Sequence, residues 1–215
     1  MPDHRSLLDQ INQSEGISLD EIQKVLTENP SLYSRKLVHL DESYIKHYLE
    51  CGKSGKDDDE FEELTRKIFE KMGFKTEKLK IGDIGGAGKP EIDGLIKNSQ
   101  ILKSGILECK SGAGYTFPRG DSDKMSTTYI PSFKEFKSDG KNYHLDFFVY
   151  VIGTKATGLG NFEDILNKTN VHGTVIYARD LLSLYEKYIT GVLTQNDVWN
   201  IFKLNKHLTE QDFLK

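Results

Sequence analysis

The sequence predicts an α/β protein: a mixed central sheet flanked by helices, preceded by a small N-terminal helical segment. Three observations lead to that class. From Asp59 onward, stretches of helical periodicity alternate with short apolar runs bounded by Gly, Asn and Ser, the pattern of a sheet built between helices. Residues 145–152, LDFFVYVI, are almost continuously apolar or aromatic, as a central strand covered on both faces must be. Residues 1–50, in contrast, carry helical spacing.

In that first segment Leu7, Leu8 and Ile11 make one apolar face, broken at Ser14, Glu15 and Gly16. Ser18 and Glu21 form a capping box for a second helix with Leu19, Ile22, Val25 and Leu26, which ends before Asn29 and Pro30. Asp41 caps a third, carrying Tyr44, Ile45, Tyr48 and Leu49. The order suits a helix-turn-helix or winged-helix remnant. A small bundle packed on the main domain is the favoured reading, because Arg35, Lys36 and Lys46 are its only local basic candidates for phosphate contacts. Residues 51–58, CGKSGKDD, have linker composition and divide the chain into a helical segment, 1–56, and a main domain, 57–215.

The main domain opens with a helix whose Phe61, Leu64, Ile68, Phe69 and Met72 share one face, stopped by Gly73. A strand follows over residues 74–81. The loop 82–90, GDIGGAGKP, fails as a phosphate-binding loop: Pro90 stands where Ser or Thr should follow the lysine, and the glycine spacing is wrong. It better suits a close backbone approach just ahead of Asp93. Residues 95–96 and 105–107 are apolar runs too short for helices, so they predict a hairpin. Next come a loop with Tyr115, Pro118 and Arg119, then a helix around residues 121–129, interrupted by Pro131 and resumed over 133–137. After the apolar strand at 145–152, residues 153–160 form a loop and Asn161 caps a helix through Leu166. A strand over 174–178 and helices around Leu181 to Ile189 and Val198 to Phe202 complete the order.

Composition narrows the function classes. The chain has 215 residues, 37% hydrophobic and 29% charged, long enough for a sizeable core and typical of a well-solvated globular protein. No run reaches membrane-spanning length and the first ten residues have no signal-peptide core, so a cytoplasmic home without membrane partners is expected. Cys51 and Cys109 are too few for a disulfide scaffold or a zinc site of their own. The net charge of −4 gives no global nucleic-acid footprint; residues 1–56 hold 7 basic and 9 acidic side chains, leaving 22 and 24 for the rest. The six histidines, His4, His39, His47, His144, His172 and His207, are scattered without zinc-ligand spacing.

The chemistry concentrates in residues 86–114. If the hairpin turns near Gln100 or Ile101, Asp93 lies across from the end of the strand bearing Glu108 and Lys110, which share a face because they are two apart. Cys109 turns to the other side as a buried small residue. Two carboxylates on rigid strands suit Mg²⁺, and a lysine beside them can steady a hydroxide and the charge of a phosphoryl transition state. That is a site for phosphodiester hydrolysis. A Glu-x-Lys on an exposed strand can also be no more than a weak ion pair. Acidic residues at the ends of apolar strands, in this order of elements, favour the site.

Asp93 and Gly94, then Glu108, Cys109 and Lys110, following a helix with Phe61 and Glu62 that ends Met72, Gly73, Phe74, resemble the PD-(D/E)XK nuclease superfamily. The downstream segments SGAGYTFPRGDSDKM, FFVYVIG, NVHGTVIYARDLL and ITGVLTQNDVWNIF, in that order, are similar to the cleavage domain of FokI-type type IIS restriction endonucleases over about residues 58–205. The resemblance implies a restriction-endonuclease-like fold and Mg²⁺-dependent cleavage of double-stranded DNA without sequence preference, with Mn²⁺ as a substitute ion. It also implies a separate recognition domain or subunit and a transient homodimer for cutting both strands. By position, Asp93 and Glu108 would ligate the metal and Lys110 would position water. Glu108 stands where the FokI motif has aspartate, a swap the superfamily pattern allows. Pro90 and Asp93 are separated by Glu91 and Ile92, which makes Glu91 a rival ligand, and Glu62 is a further acidic candidate. Asp123 matches a dimer-contact position, whereas Thr127 replaces the basic residue expected four positions on. Tyr115 and Arg119, on the loop after the catalytic strand, are the expected DNA-backbone contacts. The alternatives are a non-catalytic DNA-binding or assembly module of the same fold, and a superfamily nuclease of DNA repair or modified-DNA degradation.

Overall fold

The computed structural model describes residues 40–80 and 91–213. The first two expected helices and the loop 82–90 lie outside them. Helix α1, Glu42–Ser54, is the third expected helix and is capped as the sequence indicates, with the Asp41 carboxylate accepting the Tyr44 N–H at 2.7 Å. Helix α2, Asp58–Lys71, starts at Asp57, whose side chain accepts the Glu60 N–H, and buries Phe61, Leu64, Ile68 and Phe69 on one face. Strands β1 (Lys75–Lys80), β2 (Glu91–Asn98) and β3 (Lys103–Lys110) follow. They form an antiparallel meander, with Asn98 opposite Lys103, so the β2–β3 turn falls at the expected residues.

A two-residue strand β4, Tyr115–Thr116, leads into helix α3, Arg119–Lys124. The helix continues as a π-helical turn, Met125–Tyr129, into α4, Ile130–Phe133. Pro131 does not interrupt this helix, contrary to expectation. Its ring would collide with the Thr127 carbonyl in a regular α-helix, and the wider π turn, closed by Ile130 N–H on Met125 O, avoids that. The helix expected over 133–137 is instead strand β5, Glu135–Ser138, paired with β6, Lys141–Ile152. Asp139 and Gly140 between them have φ of 52° and 73°, the paired left-handed turn that Asp-Gly favours in a two-residue hairpin.

Strand β7 is Ala156–Thr157, pairing with β4 inside the expected loop. Helix α5 is Gly160–Thr169; Asn161 does not cap it but donates its amide to Phe117 O at 2.8 Å. Strand β8 (His172–Tyr177), helices α6 (Ala178–Ile189) and α7 (Gln195–Ile201), and a short strand β9 (Lys206–Leu208) that sequence reading did not anticipate end the fold.

The sheet runs β1-β2-β3-β6-β8-β9, with β5 also on β6; β3, β6, β8 and β9 are parallel and the rest antiparallel. It separates two cores. Phe147, Val149 and Val151 of β6 face α1, α2, α6 and α7 with Phe69, Leu184 and Trp199; Phe148, Tyr150 and Ile152 face α3, α4 and α5 with Met125, Phe133 and Phe162. Both faces of β6 are therefore apolar, which is why its sequence lacks alternation. Tyr48 and Cys51 of α1 sit in the same core as Phe61 and Ile68 of α2. The Tyr48 ring stacks on Phe61 at 5.2 Å. No helix among the described residues is long and apolar enough to cross a membrane.

Candidate active site

The ends of β2 and β3 meet between α2 on one face and α3 on the other. Glu77 pairs with Leu95 and Leu79 with Ile92, so Asp93 and Gly94 together oppose the single residue Lys78. This is a β-bulge. Bulges re-aim side chains at the ends of ladders, and here the Asp93 carboxylate turns toward the end of β3, where Oδ2 accepts the Cys109 N–H at 2.6 Å. The bulge is held from below. Arg66 of α2 donates to the Asp93 carbonyl at 2.6 Å, and its stem lies where a Gly94 Cβ would meet it at 3.4 Å.

Glu108 and Lys110 share a strand face as expected, with Lys110 Nζ 3.0 Å from Glu108 Oε2. Glu108 is only 4% exposed, and its other oxygen, Oε1, is buried with no hydrogen-bond partner. Cys109 points the other way into the core beside α2, as expected. Glu62 joins from α2 beside Asp93, and its Oε2 accepts from Lys78 at 3.0 Å.

Burial first, and then the neighbouring Glu108, push the Asp93 carboxyl up to about 6. Glu108 is raised by burial against the opposing pull of Lys110, and Glu62 by burial and the charge of Asp93. Lys110 is raised because the two carboxylates outweigh its own burial. Asp93 lies between Glu62 and Glu108, and protein cations do not fully offset the burial of the three carboxyls. A divalent ion fits this donor set: it would satisfy the orphaned Glu108 Oε1, offset the charge that burial makes costly at Asp93, and find the hard oxygen ligands that Mg²⁺ prefers.

The remaining expected residues are placed differently. Tyr115 is half-buried; its hydroxyl is hydrogen-bonded to Asp121 and its ring packs edge-on against Phe117 at 4.8 Å. Arg119 is exposed at the start of α3, 3.7 Å from Asp123. Asp123 also pairs with Lys168 at 3.4 Å, and Thr127 donates its hydroxyl back to the Asp123 carbonyl. The Glu91 side chain lies outside the described set, although its backbone pairs with Lys80. Sequence reading missed Arg66, Lys78 and Lys124, whose charge acts on Glu108. Only Arg66 carried a signal, its one-turn spacing from Glu62.

A mixed sheet that presents an acidic pair and a lysine at adjacent strand ends is the architecture of PD-(D/E)XK nucleases. The family model for the FokI cleavage domain matches residues 21–209, and the chain belongs to that family. The match begins ahead of α1, whose side chains share the core. Two solved structures have the same fold. One is of restriction endonuclease FokI, at 24% identity and a TM-score of 0.60, covering 80% of this chain and 31% of that one. The other is of FokI bound to DNA, at 22% identity and a TM-score of 0.61, covering 82% of this chain and 33% of that one. The chain thus spans about a third of the length of the FokI chains it matches. No curated protein matches it.

Proposed function

We propose that this chain is the cleavage module of a type IIS-like restriction endonuclease, hydrolysing phosphodiester bonds of double-stranded DNA with Mg²⁺. The observation that carries the reading is the buried, partnerless Oε1 of Glu108 beside Asp93 and 3.0 Å from the Lys110 ammonium through Oε2. Asp93 and Glu108 would hold the metal, with Glu62 as a third acidic group reaching it directly or through water. The ion, when bound, supplies a Lewis acid for the phosphoryl oxygen and lowers the pKa of water. Lys110, held by Glu108, orients the attacking water and faces the negative charge that grows at phosphorus. The Cys109 N–H and the Arg66 guanidinium fix Asp93, so the site is organised before substrate arrives.

Arg119, exposed at the start of α3, suits a DNA phosphate. Tyr115 is the second proposed DNA contact, with its hydroxyl on Asp121 and its ring against Phe117. One such site cuts one strand, so duplex cleavage calls for two copies meeting transiently. Recognition of a DNA sequence falls to another domain or subunit, because a net charge of −4 gives no global basic footprint. Such a module would work in a prokaryotic cytoplasm.

The test is nicking and linearisation of supercoiled plasmid with Mg²⁺, wild type against Glu108→Ala, over a range of protein concentrations. Metal-dependent cleavage absent from the mutant, rising more steeply than linearly with concentration, is the expected result. Equal behaviour of the two proteins would remove the triad from catalysis and favour a DNA-binding or assembly module of the same fold.

A further inference from the structure

A second group of ligating side chains lies at the corner between α1 and α2. His47 and Cys51 are four residues apart on α1 and so occupy one face. Glu60, in the first turn of α2, reaches across to both. It is two residues from Glu62, which places the two side chains about 200° apart around the helix axis; Glu62 serves the acidic cluster and Glu60 faces α1.

The distances resemble the edges of a coordination tetrahedron. Cys51 Sγ is 3.8 Å from either His47 ring nitrogen and 3.5 Å from Glu60 Oε2, and His47 Nε2 is 2.8 Å from Glu60 Oε1. One ligand atom from each residue falls within 4.8 Å of the others. Zinc bound to a thiolate, an imidazole and a carboxylate at ordinary bond lengths sets those edges at about 3.4–3.6 Å. The Cys51 and His47 distances end on different Glu60 oxygens, Oε2 and Oε1, so binding through one oxygen needs a small turn of that carboxylate and an opening of the His47–Glu60 edge by about half an ångström. Thiolate with imidazole is a donor pair that Mg²⁺ does not favour and zinc does.

We propose that His47, Cys51 and Glu60 form a zinc site, with a water in the fourth position. The ion would staple α1 to α2. That corner in turn supports the strand bearing Glu108 and Lys110: Gly52 O accepts the Gly112 N–H at 2.7 Å, and Ser111 hydrogen-bonds Asp58. Zinc bound only by the folded corner therefore stabilises the fold, whether or not the acidic cluster turns over DNA.

The experiment uses the whole chain after treatment with a chelator. Co²⁺ is added and the thiolate-to-cobalt charge-transfer absorption is followed, then Zn²⁺ is titrated to displace it. Cys51→Ser, His47→Gln and Glu108→Gln are run alongside, with folding checked by circular dichroism. The site predicts one thiolate-ligated Co²⁺ per chain, displaced by Zn²⁺, and a rise in melting temperature with Zn²⁺. The charge-transfer band vanishes in Cys51→Ser. His47→Gln, at a half-exposed position, stays folded and loses more than about tenfold in Zn²⁺ affinity. Glu108→Gln keeps the band, which separates this site from the acidic cluster. A folded wild type without the band, or a band unchanged in Cys51→Ser or His47→Gln, overturns the proposal.

Discussion

The Cys109 N–H donates to Asp93 Oδ2 across 2.6 Å, tying the carboxylate of one strand to the backbone of the next. Because Cys109 lies between Glu108 and Lys110, this single bond sets the position of Asp93 against both. The register that continues from Gly94 opposite Leu107 puts Asp93 across from Glu108, and the bulge at Asp93 and Gly94 re-aims its carboxylate to the Cys109 N–H. The side chain of Cys109 is meanwhile spent in the core. Backbone and side chain of one residue thus serve the site and the fold separately.

Glu108→Gln is expected to uncouple stability from activity. The wild-type carboxylate is buried, raised by burial and short of one hydrogen bond, so removing its charge relieves a desolvation cost that Lys110 only partly offsets. In chelator the variant should melt no lower than wild type, by differential scanning fluorimetry. It should lose the Mg²⁺-induced stabilisation and at least about 100-fold of plasmid cleavage, the scale seen when one electrostatic stabiliser is removed. A variant that still gains melting temperature from Mg²⁺ would show that Glu108 is not a ligand.

Metal affinity should depend on pH through Asp93. Its folded pKa is raised above the ordinary 3.8, to about 6, so in the metal-free protein its contribution to stability is present below the unfolded value and lost as pH rises through the folded one. Mg²⁺ requires the deprotonated form and reverses that slope. Below pH 6, calorimetric titration should therefore give an Mg²⁺ affinity that falls by up to about tenfold per pH unit, one proton displaced per ion. A flat profile between pH 5 and 7 would take Asp93 out of the ligand set.

Arg66 does not face substrate; it holds the bulge. Arg66→Met keeps much of the stem over Gly94 but leaves the Asp93 carbonyl without its donor, a loss of about 1–3 kcal/mol in urea unfolding. With the bulge loosened, Mg²⁺ affinity should weaken as well. Stability lost with metal affinity intact would mean that Asp93 is fixed by Cys109 alone.

How much of this was legible beforehand depends on how local the cause is. The α2 face, the Asp41 cap, the β2–β3 turn and the apolar β6 follow from spacing within a few residues, and the structure has all of them. The convergence of Asp93 on Glu108 and Lys110 followed from hairpin register. Strand β5 falls where the sequence predicts a resumed helix, although Asp139 and Gly140 carry the hairpin signal. Strand β9, three residues long, exists through parallel pairing with β8 and leaves no pattern of its own. The bulge, Arg66 beneath it and the pairing of Glu60 with His47 are tertiary events between elements, which no window of sequence contains.

The docking of α1 rests on two glycines, and this gives a sharp test of whether the first described helix belongs to the nuclease fold. A Cβ on Gly153 would lie 1.7 Å from Gly52 O and 2.8 Å from Gly52 Cα. Neither obstacle is a side chain that can rotate, so Gly153→Ala must push α1 off the sheet or distort the end of β6. Tyr48 would lose its stack on Phe61, and Gly153 N–H, which donates to Lys110 O at 2.9 Å, would shift with it. The expected loss is about 2 kcal/mol or more in urea unfolding, at the upper end of overpacking costs because backbone cannot relax as a side chain does. Cleavage should fall with it, through Lys110. Gly120→Ala is the control: nothing lies within 4 Å of its Cβ and the position is helical, so stability should hold or rise slightly. If Gly153→Ala unfolds at the wild-type midpoint, α1 does not pack against the end of β6, and the helical segment stands apart from the domain that carries Glu108 and Lys110.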